Sequence, residues 1–173
     1  MKGTFQVNDI ITILKTAKAS WFPHEKSADD AFASAVETAW RRPLPEDFRR
    51  ILAEFGGGYL RGERTKLSTG TVPQLVSDWA NDDRMDELPE CIVFGHDGGG
   101  TYYSYYYYDP DNVLGFGEWA VFHVGMGDRD RAGSVYCGKT LTDVVEQILD
   151  GEDLWIRPSL GDAAVEPTQA KKT

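Results

Sequence analysis

The chain has 173 residues and a mass of 19.3 kDa, long enough to bury about 70 % of the surface it exposes when unfolded, so its core needs neither disulfides nor a metal. Apolar residues make up 41 % and aromatics 12 %, which excludes whole-chain disorder, and no apolar run approaches the ~18 residues of a membrane-spanning helix. The net charge is −10, and residues 51–150 hold all of it, with 17 acidic against 7 basic side chains; such a surface repels phosphate backbones, which argues against nucleic-acid binding, and suits a basic protein partner.

In chain order, Met1–Gln6 lacks a long apolar core and a small-residue cleavage site, so no secretory signal is expected and the compartment is expected to be cytoplasmic. Asn8–Lys15 is apolar and predicts a short helix reaching about Ser20, broken by Trp21-Phe22-Pro23-His24. Ser27 with Asp30 has capping-box spacing, and Ala28, Ala31, Phe32, Ala35, Val36, Ala39 and Trp40 mark one buried helical face ending at Arg41-Arg42-Pro43. Pro45, Glu46 and Asp47 suit the first turn of a second helix, with Phe48, Ile51, Leu52 and Phe55 as its stripe and Gly56-Gly57-Gly58 as its stop. Short strands are expected at Tyr59–Arg61 and Thr65–Thr71, a helix through Val72, Leu75, Val76 and Trp79, and a charged loop over Asn81–Glu90.

Cys91–Phe94 reads as a buried strand and Gly95–Gly100 as a turn. Thr101–Tyr108 reads as a strand with aromatics on both alternating faces, so either both faces are covered or one awaits a partner. Asp109-Pro110-Asp111-Asn112 is a turn; Val113–Phe116, Trp119–Val124 and Ser134–Cys137 are further strand candidates. Thr140 and Asp143 box the last helix, whose inward positions are Leu141, Val144, Val145, Ile148 and Leu149; beyond Arg157 the composition predicts a loose tail. The order of elements argues for an α+β fold, an antiparallel sheet packed against N-terminal helices and a C-terminal helix.

Chemistry-bearing patterns are sparse. The two cysteines, Cys91 and Cys137, lie far apart with no C-x-x-C, which excludes a zinc ribbon and predicts buried free thiols. His123 lies in an apolar strand and reads as structural, while His96 beside Asp97 is a surface residue or a ligand. Gly95–Gly100 lacks the Lys-Ser/Thr of a phosphate loop, and the Gly115–Ala120 match to a dinucleotide fingerprint is followed by a strand where a helix is needed. No metal or cofactor set emerges. What remains is an acidic sheet protein with at least one accessible aromatic face, the chemistry of a protein interface.

Three segments resemble the SUKH superfamily, the Smi/Knr-type domains. Leu44–Gly58 is similar to the family's Leu-Pro, amphipathic helix and glycine-ended element, with Gly56 where Asn is frequent. Leu88–Gly100 resembles its strand and G-x-D-G-G-G turn, followed by a strand ending near an Asp, here Asp109. Thr140–Leu149 looks like the closing helix. The resemblance divides the chain into an N-terminal extension (1–27), a SUKH-like domain (28–155) and a tail (156–173). It implies an α+β fold, no enzymatic activity and a protein-binding role; the alternatives from other classes are an enzyme with a site near His96 and Asp97 and a small-ligand module using the glycine turn, and no cofactor is expected. Bacterial members are immunity proteins that neutralise a cognate secreted toxin or effector domain, and fungal members act as regulatory scaffolds. On this reading the partner is a basic domain such as a nuclease, met by Asp82, Asp83, Asp86, Glu87, Asp97, Asp109 and Asp111, with Tyr103, Tyr105 or Tyr107 as anchors.

Overall fold

The computed structural model describes residues 9–81, 91–99, 102–125 and 131–165. Seven strands form one antiparallel sheet in simple sequence order: β1 (Trp21–Pro23), β2 (Gly58–Arg61), β3 (Lys66–Thr69), β4 (Cys91–His96), β5 (Tyr102–Tyr108), β6 (Trp119–Gly125) and β7 (Val135–Gly138). Around it lie α1 (Ile10–Thr16), α2 (Asp30–Trp40), α3 (Glu46–Phe55), α4 (Val72–Asn81), α5 (Leu141–Leu149) and α6 (Leu160–Val165). The α+β architecture is the one the element order predicts.

Helices α3 and α5 form as their spacing requires. Phe48, Ile51, Leu52 and Phe55 all point inward, and Gly56, at φ +63°, turns the chain left-handed while its N–H closes on the Leu52 carbonyl at 2.9 Å. The capping box of α5 is present: the Thr140 hydroxyl accepts from the Asp143 N–H and the Asp143 carboxylate accepts from the Thr140 N–H. Helix α2 departs from expectation. It is capped by Asp29, whose Oδ1 accepts from Ala31 N–H at 2.8 Å, and not by Ser27. Ala31 and Ala35 are exposed, and the buried pair is Ala33 and Val36. A face composed of alanines carries little directional hydrophobic signal, so packing on α3 and α4 sets its rotation.

Strands β4–β7 are buried on both faces of the sheet. Leu60, Leu67, Ile92, Phe94, Tyr106, Val121 and Cys137 join the helices in the larger core. There Phe48, Phe94 and Tyr106 meet ring to ring, at 4.7–5.8 Å between centroids. Cys91, Tyr105, Tyr107, Ala120, Phe122 and Val124 form a second core on the other face, covered by Leu114, Phe116, Tyr136 and Leu160.

That second cover explains two further departures. Val113–Phe116, expected as a strand, is a turn. The Asp109 carboxylate accepts from the N–H groups of Val113 (2.9 Å) and Leu114 (2.7 Å), and Asn112, at φ +51°, accepts from Gly117 N–H at 2.7 Å. This compact loop lays Leu114 and Phe116 on the sheet; Phe116 stacks on Tyr136 at 4.3 Å. Of the expected loose tail, residues 156–165 are described, and they are held in place. Leu160 and Gly161 donate to the carbonyls of Ser134 (2.8 Å) and Ala132 (2.9 Å), and Leu160 packs in the second core.

Of the expected N-terminal extension, residues 9–27 are the described part, and they pack on the rest of the fold. Ile10, Ile11 and Leu14 lie in the larger core, and Trp21 sits so close over Gly58 that a Cβ there would come within 2.3 Å of the indole. Of the charged loop, residues 82–90 lie outside the described residues. Asp109→Ala should destabilise the protein by about 2–3 kcal/mol, the range for losing hydrogen bonds to a charged group, with an unchanged denaturant slope in urea unfolding.

Candidate partner-binding site

At one end of the sheet the N-termini of α3 and α5 converge on a single carboxylate. Asp47 Oδ1 accepts from the N–H of Phe48 (2.8 Å) and from the Tyr106 hydroxyl (3.4 Å), while Oδ2 accepts from the N–H of Thr142 (3.0 Å). One side chain thereby joins α3, α5 and β5. Burial raises the Asp47 carboxyl above its ordinary value against these hydrogen bonds, which pull it down. Burial and the neighbouring Asp47 hold the Tyr106 hydroxyl well above its usual range, so it stays protonated and donates.

In front of Asp47 opens a cleft of about 920 Å³. Leu44, Pro45, Tyr106 and Trp119 supply apolar wall, and Asp9, Glu46, Asp143 and Glu146 contribute carboxylates against Arg50 and Lys139. Arg50 is already engaged with Asp9 at 2.7 Å. A second groove of about 820 Å³, between α1 and the end of α5, shares Asp9 and Glu146 with it. Trp119 continues the aromatic surface: its ring lies 4.6 Å from Tyr108 and 5.8 Å from Trp40, all three half-buried, and the Arg42 guanidinium covers Tyr108 at 5.5 Å. The 109–118 turn, which links Tyr108 to Trp119, exposes Asp111, Glu118 and Val113, the last 78 % accessible. Half-buried Trp and Tyr rings edged by acidic groups have the composition of an interface core and rim.

The residues singled out from sequence are placed differently. Asp82, Asp83, Asp86 and Glu87 lie outside the described residues. Tyr103 pairs through its backbone with His96 and Val124, and its side chain is outside the described set. Tyr105 is 2 % exposed and donates to Ser134 Oγ at 2.5 Å; burial pushes its hydroxyl far up. Tyr107 is buried and accepts from Arg131 Nη2 at 2.8 Å. Neither ring is available as an anchor, because Leu114, Phe116 and Leu160 cover that face. Asp109, 5 % exposed, spends its carboxylate on the turn; Asp111 beside it is exposed. Asp97 is half-buried and lies at a different cleft, with Tyr59, Arg64, Lys66 and Trp155. Of the opposite register of the tyrosine strand, Tyr106 is fully buried and Tyr108 is the ring left near the surface. The signal that could have chosen it was Trp119, the register partner of Tyr108.

Each histidine is engaged within the fold. His24 Nε2 donates to the Thr69 carbonyl at 2.7 Å, and His96 Nδ1 accepts from Gly98 N–H at 2.9 Å. His123 Nδ1 lies 2.7 Å from Cys137 Sγ, the spacing of a thiol and its base. The electrostatics run against that chemistry. Burial drives the thiol up to about 12 and the imidazole down to about 4, so the pair is neutral at pH 7, without the thiolate a nucleophile needs. Among the described residues no group of three His, Cys, Asp or Glu side chains could hold a metal, and no helix is long and apolar enough to cross a membrane.

The fold defines an α+β domain, a seven-stranded meander covered by helices on one face and by a turn and the C-terminal helix on the other. The family described as SMI1 / KNR4 (SUKH-1) matches residues 27–147, well over half of the chain, and the protein belongs to that family. A search of curated proteins finds no match.

The lowered His123 value fixes a sign. Between the unfolded value near 6.5 and about 4, the unfolded chain binds the proton and the folded one does not, so this group's contribution to stability falls as pH drops through that window. The loss amounts to about 3 kcal/mol, from roughly 1.4 kcal/mol per unit. His123→Gln should flatten the stability profile between pH 6.5 and 4, measured by urea unfolding at half-unit steps.

Proposed function

We propose that this protein is an immunity protein that binds and neutralises a cognate secreted toxin or effector domain of basic surface, acting in the cytoplasm by occlusion and not by catalysis. The observation that carries the reading is the aromatic cleft beside Asp47, flanked by carboxylates at the junction of three elements. Family membership supports it, since proteins of the SUKH type serve as binding partners.

Physically, such a surface suits the task. Trp119, Tyr108 and Trp40 are stiff side chains that lose little rotational freedom on contact, so they provide affinity. Exposed Glu46, Asp111 and Glu118, with the overall charge of −10, provide long-range attraction to a cationic domain. A nuclease is the natural cationic target, because its own phosphate-binding surface is basic. Asp97 and the acidic residues Asp82, Asp83, Asp86 and Glu87 add to that field. Asp47 works from beneath: by holding α3 to α5 it keeps the cleft in one shape before the partner arrives, which lowers the ordering cost of binding.

The test is to co-express the chain with the product of the adjacent reading frame, purify the complex and follow association by stopped-flow at 50 and 500 mM salt. The triple variant Glu46→Lys, Asp111→Lys, Glu118→Lys changes only exposed groups. It should associate at least tenfold more slowly at low salt, with the gap closing at high salt. Trp119→Ala should act instead on dissociation. A neighbour-encoded polypeptide that shows no complex, or an unchanged association rate for the triple variant, rejects the reading.

A further inference from the structure

We propose that a second cleft, between the β2–β3 hairpin and the glycine turn after β4, binds a small phosphate ester carried on a flat ring, a ligand of the nucleoside monophosphate class. The hairpin is electrostatically unusual. Arg61 and Lys66 are direct cross-strand partners, a like-charge juxtaposition that weakens a sheet, and Arg64 lies in the turn between them. All three are exposed and, among the described residues, none makes an ion pair; Glu63, also exposed, is the one carboxylate of the same turn. In a chain of net charge −10, three exposed cations against the single carboxylate of Glu63 leave this hairpin net positive, with room for an anion from outside.

The cations front a cavity. Arg64 and Lys66 line a cleft of about 500 Å³ together with Tyr59, Trp155, Asp97 and Gly98-Gly99, a volume within the range of small-molecule sites. Its flat surfaces are held in place. Trp155 packs on His123 at 4.3 Å, and Tyr59 lies against the glycine turn, where a Cβ on Gly98 would stand 3.7 Å from the ring. The turn is braced from within: Gly98 N–H donates to His96 Nδ1 at 2.9 Å and Gly99 N–H to Asp97 Oδ1 at 3.0 Å. Three kinds of recognition converge. Arg64 and Lys66 match a dianionic phosphate, Tyr59 and Trp155 match a planar ring, and the Asp97 carboxylate accepts from an N–H or O–H of the same molecule. The hairpin carries the charge sign opposite to that of the partner surface, and the inference stands whether or not the proposed function holds.

The test titrates the full-length protein, in phosphate-free buffer, with AMP and phenyl phosphate, using adenosine and inorganic phosphate as controls. Calorimetry gives the affinity and amide and indole NMR shifts give the place. AMP or phenyl phosphate should bind at one saturable site, at least tenfold more tightly than adenosine or inorganic phosphate alone. The shifts should centre on Gly98, Gly99 and the Trp155 indole. Arg64→Ala with Lys66→Ala should weaken binding at least tenfold without lowering the unfolding midpoint, since it also removes the like-charge pair of Arg61 and Lys66. The proposal is overturned by no saturable binding of either ester, by inorganic phosphate binding as tightly as both, by an affinity indifferent to the double variant, or by shifts centred elsewhere.

Discussion

Strand β5 brings Tyr106 to one face of the sheet and Tyr105 and Tyr107 to the other, and a strand with large rings on both faces has to be covered twice. The helices meet the first demand, with Tyr106 fully buried against Phe48 and Phe94. Among the described residues no helix of similar length covers the second face. A turn and a six-residue helix do so, through Leu114, Phe116 and Leu160. Covering both faces of the central strands in this way makes the sheet a rigid platform, and it decides which tyrosines remain near the surface.

Two carboxylates organise the backbone that the platform needs. Asp109 draws the chain after β5 into the loop that covers the second face, and Asp47 ties two helix starts to a strand hydroxyl. Each satisfies backbone N–H groups that would otherwise lack partners, and each sits next to a surface proposed for recognition. Buried acids hold shape and exposed acids set the field, so the same residue type does two jobs that composition does not separate.

The molecule's charge is correspondingly uneven. Carboxylates flank the aromatic cleft, while exposed cations gather on the β2–β3 hairpin. The two clefts are built on different elements: the first on α3, α5, β5 and β6, the second on the hairpin, the glycine turn and the segment after α5. They can therefore serve ligands of opposite charge without sharing a side chain. The Cys137–His123 pair shows how geometry alone misleads. Its spacing suits a nucleophile and its base, yet burial makes both groups neutral.

Local chemistry was legible in the residues. The stripe of α3, the glycine that ends it, the Thr140–Asp143 box and the α+β order all depend on contacts within a few positions, and the sequence alone determined them. The rotation of alanine-rich α2 was not, because Ala31 and Ala33 are the same residue and hydrophobicity cannot choose between them. Nor was the fate of Val113–Phe116, where β-forming side chains are overruled by two hydrogen bonds to Asp109. The partner surface divided the same way. Negative charge and aromatic abundance could be read from the chain, but period-two alternation marks two faces without saying which is covered. Only tertiary packing, through Leu114, Phe116 and Leu160 arriving from distant positions, buried Tyr105 and Tyr107 and left Tyr108 and Trp119 at the surface.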